Sequence, residues 1–339
     1  MNALLKVTAC CSLAFTTAGL SQPPAAAQAP APTGKLIDLG GHRLHLNCTG
    51  KGPFTVVVEY GLGDFSFDWI LVQQSVEKFT RICTYDRAGY AWSDPGPKPR
   101  SFPQLNLELH DALNKAGERS PLILVGHSYG GGVVRNYAAL YPSQVAGMVL
   151  VEIVPEDQRI QMGPKHMGRI RDDATGAPIP APRENILPSD KPPAPLAANA
   201  PGEAEPAPSQ LPQKEQQMHL WAEQLPSLED AENSQRQWSA ESMALMYKTP
   251  QKGSLGSIPL IVLTRAKGGY GDDLEFPAAE LEAERVRLQA ALALLSSNGK
   301  QILVNSGHNM HLEAPAEVAD AIHAVFLACG QAKATPPNK

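Results

Sequence analysis

The serine with the best-defined chemical context in this 339-residue chain lies in the stretch Gly126-His127-Ser128-Tyr129-Gly130. The apolar run from Pro121 to Val125 precedes it and predicts a buried strand, and apolar residues at helical spacing follow from Val133 to Tyr141. A serine on a sharp strand-to-helix turn is exposed for attack. The N–H groups at the start of the helix then face the place where negative charge develops. This context predicts that Ser128 is a nucleophile.

A serine hydroxyl attacks only when a base removes its proton, and histidine is the usual base. Three histidines are candidates in this chain. His308 follows Gly307 directly after the last apolar run, His311 lies three residues further on, and His127 is adjacent to the serine. The Gly-His context favours His308 as the base, and His311 is the alternative candidate. We interpret His127 as a packing or hydrogen-bonding residue.

Composition narrows the class of protein. The chain is 43% hydrophobic and 19% charged, and its formal net charge is −5. These values are typical of a globular protein. The charge balance indicates no nucleic-acid partner, because it contains no basic excess and no run of like charge.

Residues 1–27 have the composition of a secretory signal peptide. A short, positively charged start precedes the apolar run from Val7 to Leu20, and Ala25-Ala26-Ala27 offers a cleavage site. The apolar run is too short for a transmembrane span, so stable membrane insertion is not expected. Cys10 resembles a lipoprotein site, but the apolar run follows it instead of preceding it. The sequence therefore predicts a secreted or periplasmic protein, cleaved near Ala27.

The mature chain divides into four segments. Apolar strand patterns alternate with helical patterns in residues 28–154 and again in residues 258–330, which predicts a mostly parallel sheet covered on both faces. Residues 155–257 form an insertion whose helices we place at 213–225 and 228–247. Within it, residues 174–212 include 11 prolines and predict a mobile arm. Residues 331–339 form a disordered tail. In the first strand pair we expect His42 and His45 to be solvated.

Four motifs occur in an order that resembles the α/β-hydrolase superfamily. They are the turn Tyr60-Gly61-Leu62-Gly63, the turn from Asp86 to Asp94, the Ser128 turn, and Gly307-His308. The resemblance implies an eight-stranded, mostly parallel sheet with residues 155–257 inserted as a helical cap. It also implies that Ser128 is the nucleophile, that His308 is the base, and that the N–H groups of Leu62 and Tyr129 form the oxyanion hole. No cofactor and no metal are implied.

The carboxylate that would orient the histidine is not at the position usual for this superfamily. After Leu263 the chain has Thr264 to Gly268 with no carboxylate, and the first ones are Asp272 and Asp273. Some members place the acid at the end of the strand after the nucleophile helix, which here resembles Leu150-Val151-Glu152. We predict Glu152 as the acid, with Asp272 or Asp273 as alternatives. A structural role for Glu152, accepting N–H groups of the cap or a loop, stays open.

Three cysteines remain after removal of the leader: Cys48, Cys83 and Cys329. Export places the chain where disulfides persist. The resemblance puts the strands of Cys48 and Cys83 side by side, so we predict that these two residues are bonded and that Cys329 is free. The oligomeric state is left open.

These features together predict a serine hydrolase of the carboxylesterase or lipase type, acting on a small-molecule ester through an acyl-enzyme. Epoxide hydrolases and haloalkane dehalogenases of this superfamily have an aspartate at the nucleophile position, so a serine favours ester chemistry. The alternatives are a peptidase, an acyltransferase or a cofactor-free haloperoxidase on the same fold. A non-catalytic binding protein is a further one.

Overall fold

A computed structural model describes residues 29–119, 121–163, 166–185, 208–248, 252–267 and 277–334. The predicted leader, the last five residues, Asp272 and Asp273 lie outside these ranges. An eight-stranded sheet has the strand order β1-β2-β4-β3-β5-β6-β9-β10. Its strands are β1 Lys35–Asp38, β2 Arg43–Thr49, β3 Thr55–Glu59, β4 Arg81–Tyr85, β5 Leu122–His127, β6 Val145–Val151, β9 Leu260–Arg265 and β10 Gly299–Val304.

The sheet is mostly parallel, as the sequence predicts. Strand β2 pairs antiparallel with both β1 and β4, and every other pair in this sheet is parallel. The helices are α1 Ile70–Val76, α2 Phe102–Ala116, α3 Gly130–Leu140, α4 Gln213–Ala222, α5 Pro226–Lys248, α6 Ala278–Leu292, α7 Met310–Glu313 and α8 Pro315–Ala334. A short antiparallel pair, β7 Ile160–Gly163 and β8 His166–Gly168, lies outside the sheet.

Helices cover both faces of the sheet, and the side chains of β3 show how. Val56 and Val58 pack in the same buried cluster as residues of α1 and α8. Val57 points to the opposite face, where it packs in a second cluster with residues of α2 and α3. A strand buried on both faces needs apolar residues at every position. This is why residues 56–58 of β3 and residues 122–125 of β5 are continuous apolar runs without alternation.

The inserted segment between β6 and β9 is attached to the core by hydrogen bonds. In α4, His219 Nδ1 lies 2.9 Å from Asp68 Oδ1 in the core, and both residues are largely buried. Residues 174–185 contain neither helix nor strand, but Thr175 N–H donates to Glu241 in α5 over 2.7 Å. Residues 186–207 of the predicted arm lie outside the described ranges. No helix in the described part of the chain is long and apolar enough to cross a membrane.

Three features differ from what the sequence predicts. His42 and His45 are buried, not solvated, and His45 Nδ1 lies 2.7 Å from Asp86 Oδ2. The β7–β8 pair and the one-turn helix α7 also have no counterpart in the sequence prediction. The burial of His45 depends on Asp86, which lies 41 residues away and is not reported by local periodicity.

The structure confirms the predicted disulfide. Cys48 on β2 lies directly opposite Cys83 on β4 in the antiparallel register, and the two sulfur atoms are bonded. Cys329 in α8 is buried, is not part of this bond, and its Sγ lies 3.2 Å from the carbonyl oxygen of Ala146. The bond closes a loop over a sequence separation of 35 residues. It therefore restricts the unfolded chain.

We expect the Cys48→Ser/Cys83→Ser variant to lose about 2–4 kcal/mol of unfolding free energy, because the unfolded chain regains its loop entropy. Urea unfolding with and without dithiothreitol measures this loss. The reductant should lower the stability of the wild type and leave the double variant unchanged. Equal stability of the two proteins in the absence of reductant would contradict the expectation.

Candidate active site

Ser128 lies on a strained turn between β5 and α3. Its φ is +51°, a left-handed value that costs a non-glycine residue free energy. The flanking glycines make room for this turn. A Cβ at Gly130 would lie 2.2 Å from the carbonyl oxygen of Glu59, and one at Gly126 would lie 2.5 Å from a methyl group of Val134. The G-x-S-x-G pattern is therefore a steric requirement of this turn.

His308 lies on the loop between β10 and α7, and its ring reaches the serine. His308 Nε2 is 3.0 Å from Ser128 Oγ. The Glu313 carboxylate stabilises this loop by accepting a hydrogen bond from the N–H of Gly307 over 2.7 Å. Burial, followed by the charges of His127 and Arg265, lowers the pKa of His308 to about 3. The ring is therefore neutral near pH 7, and Nε2 can accept the serine proton.

The two N–H groups predicted for the oxyanion hole belong to Leu62 and Tyr129. Neither of them donates to an acceptor among the described residues. Arg87 holds the first turn by donating to the carbonyl oxygens of Tyr60 and of Gly61, the latter over 3.0 Å. Arg87 therefore fixes the two residues before Leu62 through their carbonyl groups.

Glu152 directly follows β6, and its carboxylate contacts arginines. Its Oε2 accepts the backbone N–H of Arg265 over 2.8 Å, and its Oε1 lies 3.0 Å from Arg285 Nη1 and 3.1 Å from Arg265 Nη1. Within the described ranges, no carboxylate oxygen lies within 4.0 Å of a His308 ring nitrogen. The acid of the site, whether Glu152, Asp272 or Asp273, stays a prediction.

Asp64 and Arg87 are residues of the site that the sequence analysis did not single out. Asp64 Oδ2 accepts the N–H of Gly61 over 3.0 Å and lies 3.2 Å from His127 Nδ1. Asp64, His127 and His311 offer donor atoms within 4.8 Å of one another, which makes them the residues here that could approach a metal ion. In the sequence, Asp64 could have been singled out as the carboxylate that directly follows the glycine-rich turn from Tyr60 to Gly63.

Helix α5 of the inserted segment reaches this site. Its Gln235 accepts a hydrogen bond from Arg87 over 3.3 Å. Its Met243 and Met246 pack in one buried cluster with Phe102 and Tyr129. The Tyr129 side chain is therefore packed in an apolar cluster that belongs partly to the insertion.

Comparison with known proteins identifies the family. Residues 61–321 match the model of the alpha/beta hydrolase family, and the chain belongs to this family. It is 31% identical over 149 residues to the serine hydrolase BPHL of Mus musculus, covering 41% of this chain and 51% of that protein. It is 32% identical over 103 residues to the uncharacterized protein YqjL of Bacillus subtilis, covering 30% of this chain and 41% of that protein. The chain thus spans about half or less of these relatives.

Solved structures show the same fold at low sequence identity. An epoxide hydrolase, CorEH, superposes with a TM-score of 0.58 at 16% identity, covering 87% of this chain and 97% of that one. A thermophilic esterase from Thermogutta terrifontis superposes with a TM-score of 0.57 at 19% identity, covering 85% and 94%. Both show an α/β-hydrolase fold for this chain. They do not distinguish between the two chemistries.

The lowered pKa of His308 sets the pH dependence we expect for turnover. Protonation removes the base, and the neutral form persists below the ordinary histidine pKa of 6.5. The acidic limb of kcat/KM against pH should therefore have its midpoint below 6.5, and activity at about pH 5.5 should approach that at neutral pH. Initial rates on an ester, with a melting temperature recorded at each pH, test this. A midpoint at or above 6.5 in folded protein would contradict it.

Proposed function

We propose that this chain is a secreted or periplasmic serine hydrolase that cleaves carboxylic esters through an acyl-enzyme. The observation that carries the proposal is the 3.0 Å contact of Ser128 Oγ with His308 Nε2 at the start of α3. The family gives the fold, and this contact supports the proposed chemistry. Epoxide hydrolases of this superfamily have an aspartate where this chain has Ser128, so the serine favours acyl transfer.

The reaction runs in two halves. Ser128 Oγ attacks the ester carbonyl carbon while its proton moves to His308 Nε2, and the carbonyl oxygen becomes an oxyanion that the N–H groups of Leu62 and Tyr129 bind. The C–O bond to the alcohol then breaks, and His308 returns the proton to the leaving oxygen. In the second half, water gives its proton to His308 and attacks the acyl carbon. The carboxylic acid leaves, and Ser128 regains its proton.

Ser128→Ala should fold normally and lose nearly all ester hydrolysis, because the nucleophile is removed while the binding groups stay. Rates on a chain-length series of p-nitrophenyl esters measure the loss, and circular dichroism checks the fold. His323→Gln, an exposed change on α8, is the control and should keep wild-type rates. If purified Ser128→Ala keeps even about a tenth of the wild-type rate, the nucleophile assignment is wrong.

The same assays separate the alternatives. A fluorophosphonate that labels the wild type but not Ser128→Ala supports a catalytic serine and argues against a non-catalytic binding protein. Amide, epoxide and acyl-acceptor substrates, compared with the esters, test the peptidase, epoxide hydrolase and acyltransferase activities. Ester turnover that exceeds all of them supports the proposal.

For the acid we propose Glu152, with Asp272 and Asp273 as the alternatives. Its position at the end of β6 next to the strand of Ser128 supports this role. Glu152→Gln should lower kcat by about 10³ to 10⁴, as loss of a triad carboxylate does. Asp272→Asn and Asp273→Asn should change it little. If an aspartate variant lost this much kcat and Glu152→Gln did not, the acid would be Asp272 or Asp273.

The arginine contacts of Glu152 require one more control. If Glu152 serves only to neutralise Arg265 and Arg285, breaking the ion pair from either side should lower stability and spare turnover. Arg285→Met breaks it without touching the carboxylate. A melting temperature that falls in both variants, with kcat near wild type in both, would assign Glu152 a structural role.

A further inference from the structure

The peptide unit that joins Gly61 to Leu62 carries one of the two N–H groups proposed for the oxyanion hole. This peptide is trans, and a trans peptide is planar, so its C=O and N–H groups point in opposite directions. The Gly61 carbonyl oxygen accepts a hydrogen bond from Arg87 Nη1 over 3.0 Å. Whatever fixes this carbonyl group therefore also sets the direction of the Leu62 N–H on the other side of the unit.

The same nitrogen of Arg87 also contacts the inserted segment. Nη1 carries two hydrogens, and the side-chain oxygen of Gln235 in α5 lies 3.3 Å from it. Gln235 is fully buried, so water does not compete for this contact. The Gln235 oxygen thus occupies the second hydrogen of the nitrogen that binds the Gly61 carbonyl group, and it helps to fix where that nitrogen lies.

The nitrogen of the Gln235 amide is linked to the residue after Leu62. Gln235 Nε2 donates to the Tyr90 hydroxyl over 3.1 Å, and the Tyr90 side chain is buried as well. Burial raises the pKa of Tyr90 to about 12, and hydrogen bonds from Gln235 and from the backbone of Gly63 are among the interactions that oppose this rise. One amide side chain is therefore connected to the residues on both sides of Leu62.

Helix α5 also packs directly on this turn. A Cβ at Gly63 would lie 3.2 Å from the carboxylate of Glu232, which is three residues before Gln235 on the same helix. The Leu62 side chain packs against the buried cluster that includes Met243 of α5. Side chains of the insertion therefore contact the turn together with those of the core.

We propose that Gln235 is a positioning residue that aims the Leu62 N–H at the oxyanion. It acts through Arg87 and Tyr90 and does not itself touch the substrate. The inference rests on the proposed ester chemistry, and it makes the inserted segment necessary for the chemical step. The oxyanion develops only as the serine attacks, so a misaimed N–H lowers kcat and leaves substrate binding nearly unchanged.

Gln235→Met keeps the length of the side chain and removes both of its hydrogen bonds. It should lower kcat on p-nitrophenyl esters on the order of 10²-fold with KM nearly unchanged, as a small misplacement of a catalytic group does. A trifluoromethyl ketone tests the same step, because attack by Ser128 turns its carbonyl oxygen into an oxyanion. Its inhibition constant should rise by the same factor as kcat/KM falls. Gln237→Met, an exposed change on α5, is the matched control and should leave both values unchanged.

Hydrogen exchange measures the turn without any substrate. The amide hydrogens of residues 60–63 should exchange faster in Gln235→Met than in the wild type or in Gln237→Met, because the turn opens more often. Tyr90→Phe removes the second link alone and should lower kcat by a smaller factor. The two losses should not multiply in the double variant, because both changes act on the same turn.

The outcomes separate failure of this inference from failure of the proposed function. In Gln235→Met with a wild-type circular dichroism spectrum, an unchanged kcat, or a lower kcat with an unchanged inhibition constant, would overturn the positioning role. If Gln235→Met does not fold, an unchanged kcat in Tyr90→Phe would overturn it. No ester turnover and no fluorophosphonate labelling of the wild type would overturn the function, and hydrogen exchange would still decide whether Gln235 holds the turn.

Discussion

The buried ion pair between Glu59 and Arg87 is the interaction on which the rest of the site depends. Glu59 ends β3 and Arg87 follows β4, and neither side chain is exposed to solvent. Arg87 Nε donates to Glu59 Oε1 over 2.7 Å, and Tyr85 donates its hydroxyl hydrogen to the other carboxylate oxygen. A charge left in this place without its partner costs several kcal/mol, so the two strand ends must stay together.

The remaining hydrogens of Arg87 extend this constraint to the functional groups. They bind the carbonyl oxygens of Tyr60 and Gly61 and the side chain of Gln235 in α5. The guanidinium carbon also lies 5.3 Å from the ring centre of Tyr129. One cation therefore contacts the turn of the Leu62 N–H, the ring of Tyr129 and the inserted helix α5. Its planar shape allows several directed hydrogen bonds from a single charge.

Among the described residues, three non-glycine residues have a positive φ: Ala91, and two that lie at the ends of neighbouring strands. Ser128 follows β5 with φ +51°, and Glu152 follows β6 with φ +42°. Such conformations cost about 1–3 kcal/mol each and persist only when the surroundings hold them. Here the N–H of Ser128 donates to Val151 over 3.2 Å, and the N–H of Glu152 donates to Leu263 over 2.9 Å. The sheet thus holds both turns through backbone hydrogen bonds beyond the strand ends.

The sequence by itself determined the fold class, the strand-turn-helix context of Ser128, and the Gly-His context of His308. Those features are local: alternation, apolar runs and glycine spacing act over a few residues, so they can be found without the fold. The helix predicted at 213–225 begins at the same residue as α4, Gln213–Ala222, and the helix predicted at 228–247 lies within α5, Pro226–Lys248. The Cys48–Cys83 bond was also predictable once the resemblance had placed its strands side by side.

Only the tertiary structure decided which charges meet. His45 is buried because Asp86, 41 residues later, pairs with it, and Glu152 meets Arg285 across 133 residues. His127 was interpretable from sequence as a hydrogen-bonding residue, but its two partners lie 63 residues before it and 181 residues after it. The free energy of a buried charge depends on neighbours that the whole fold brings together, whereas local sequence patterns report only segments of a few residues.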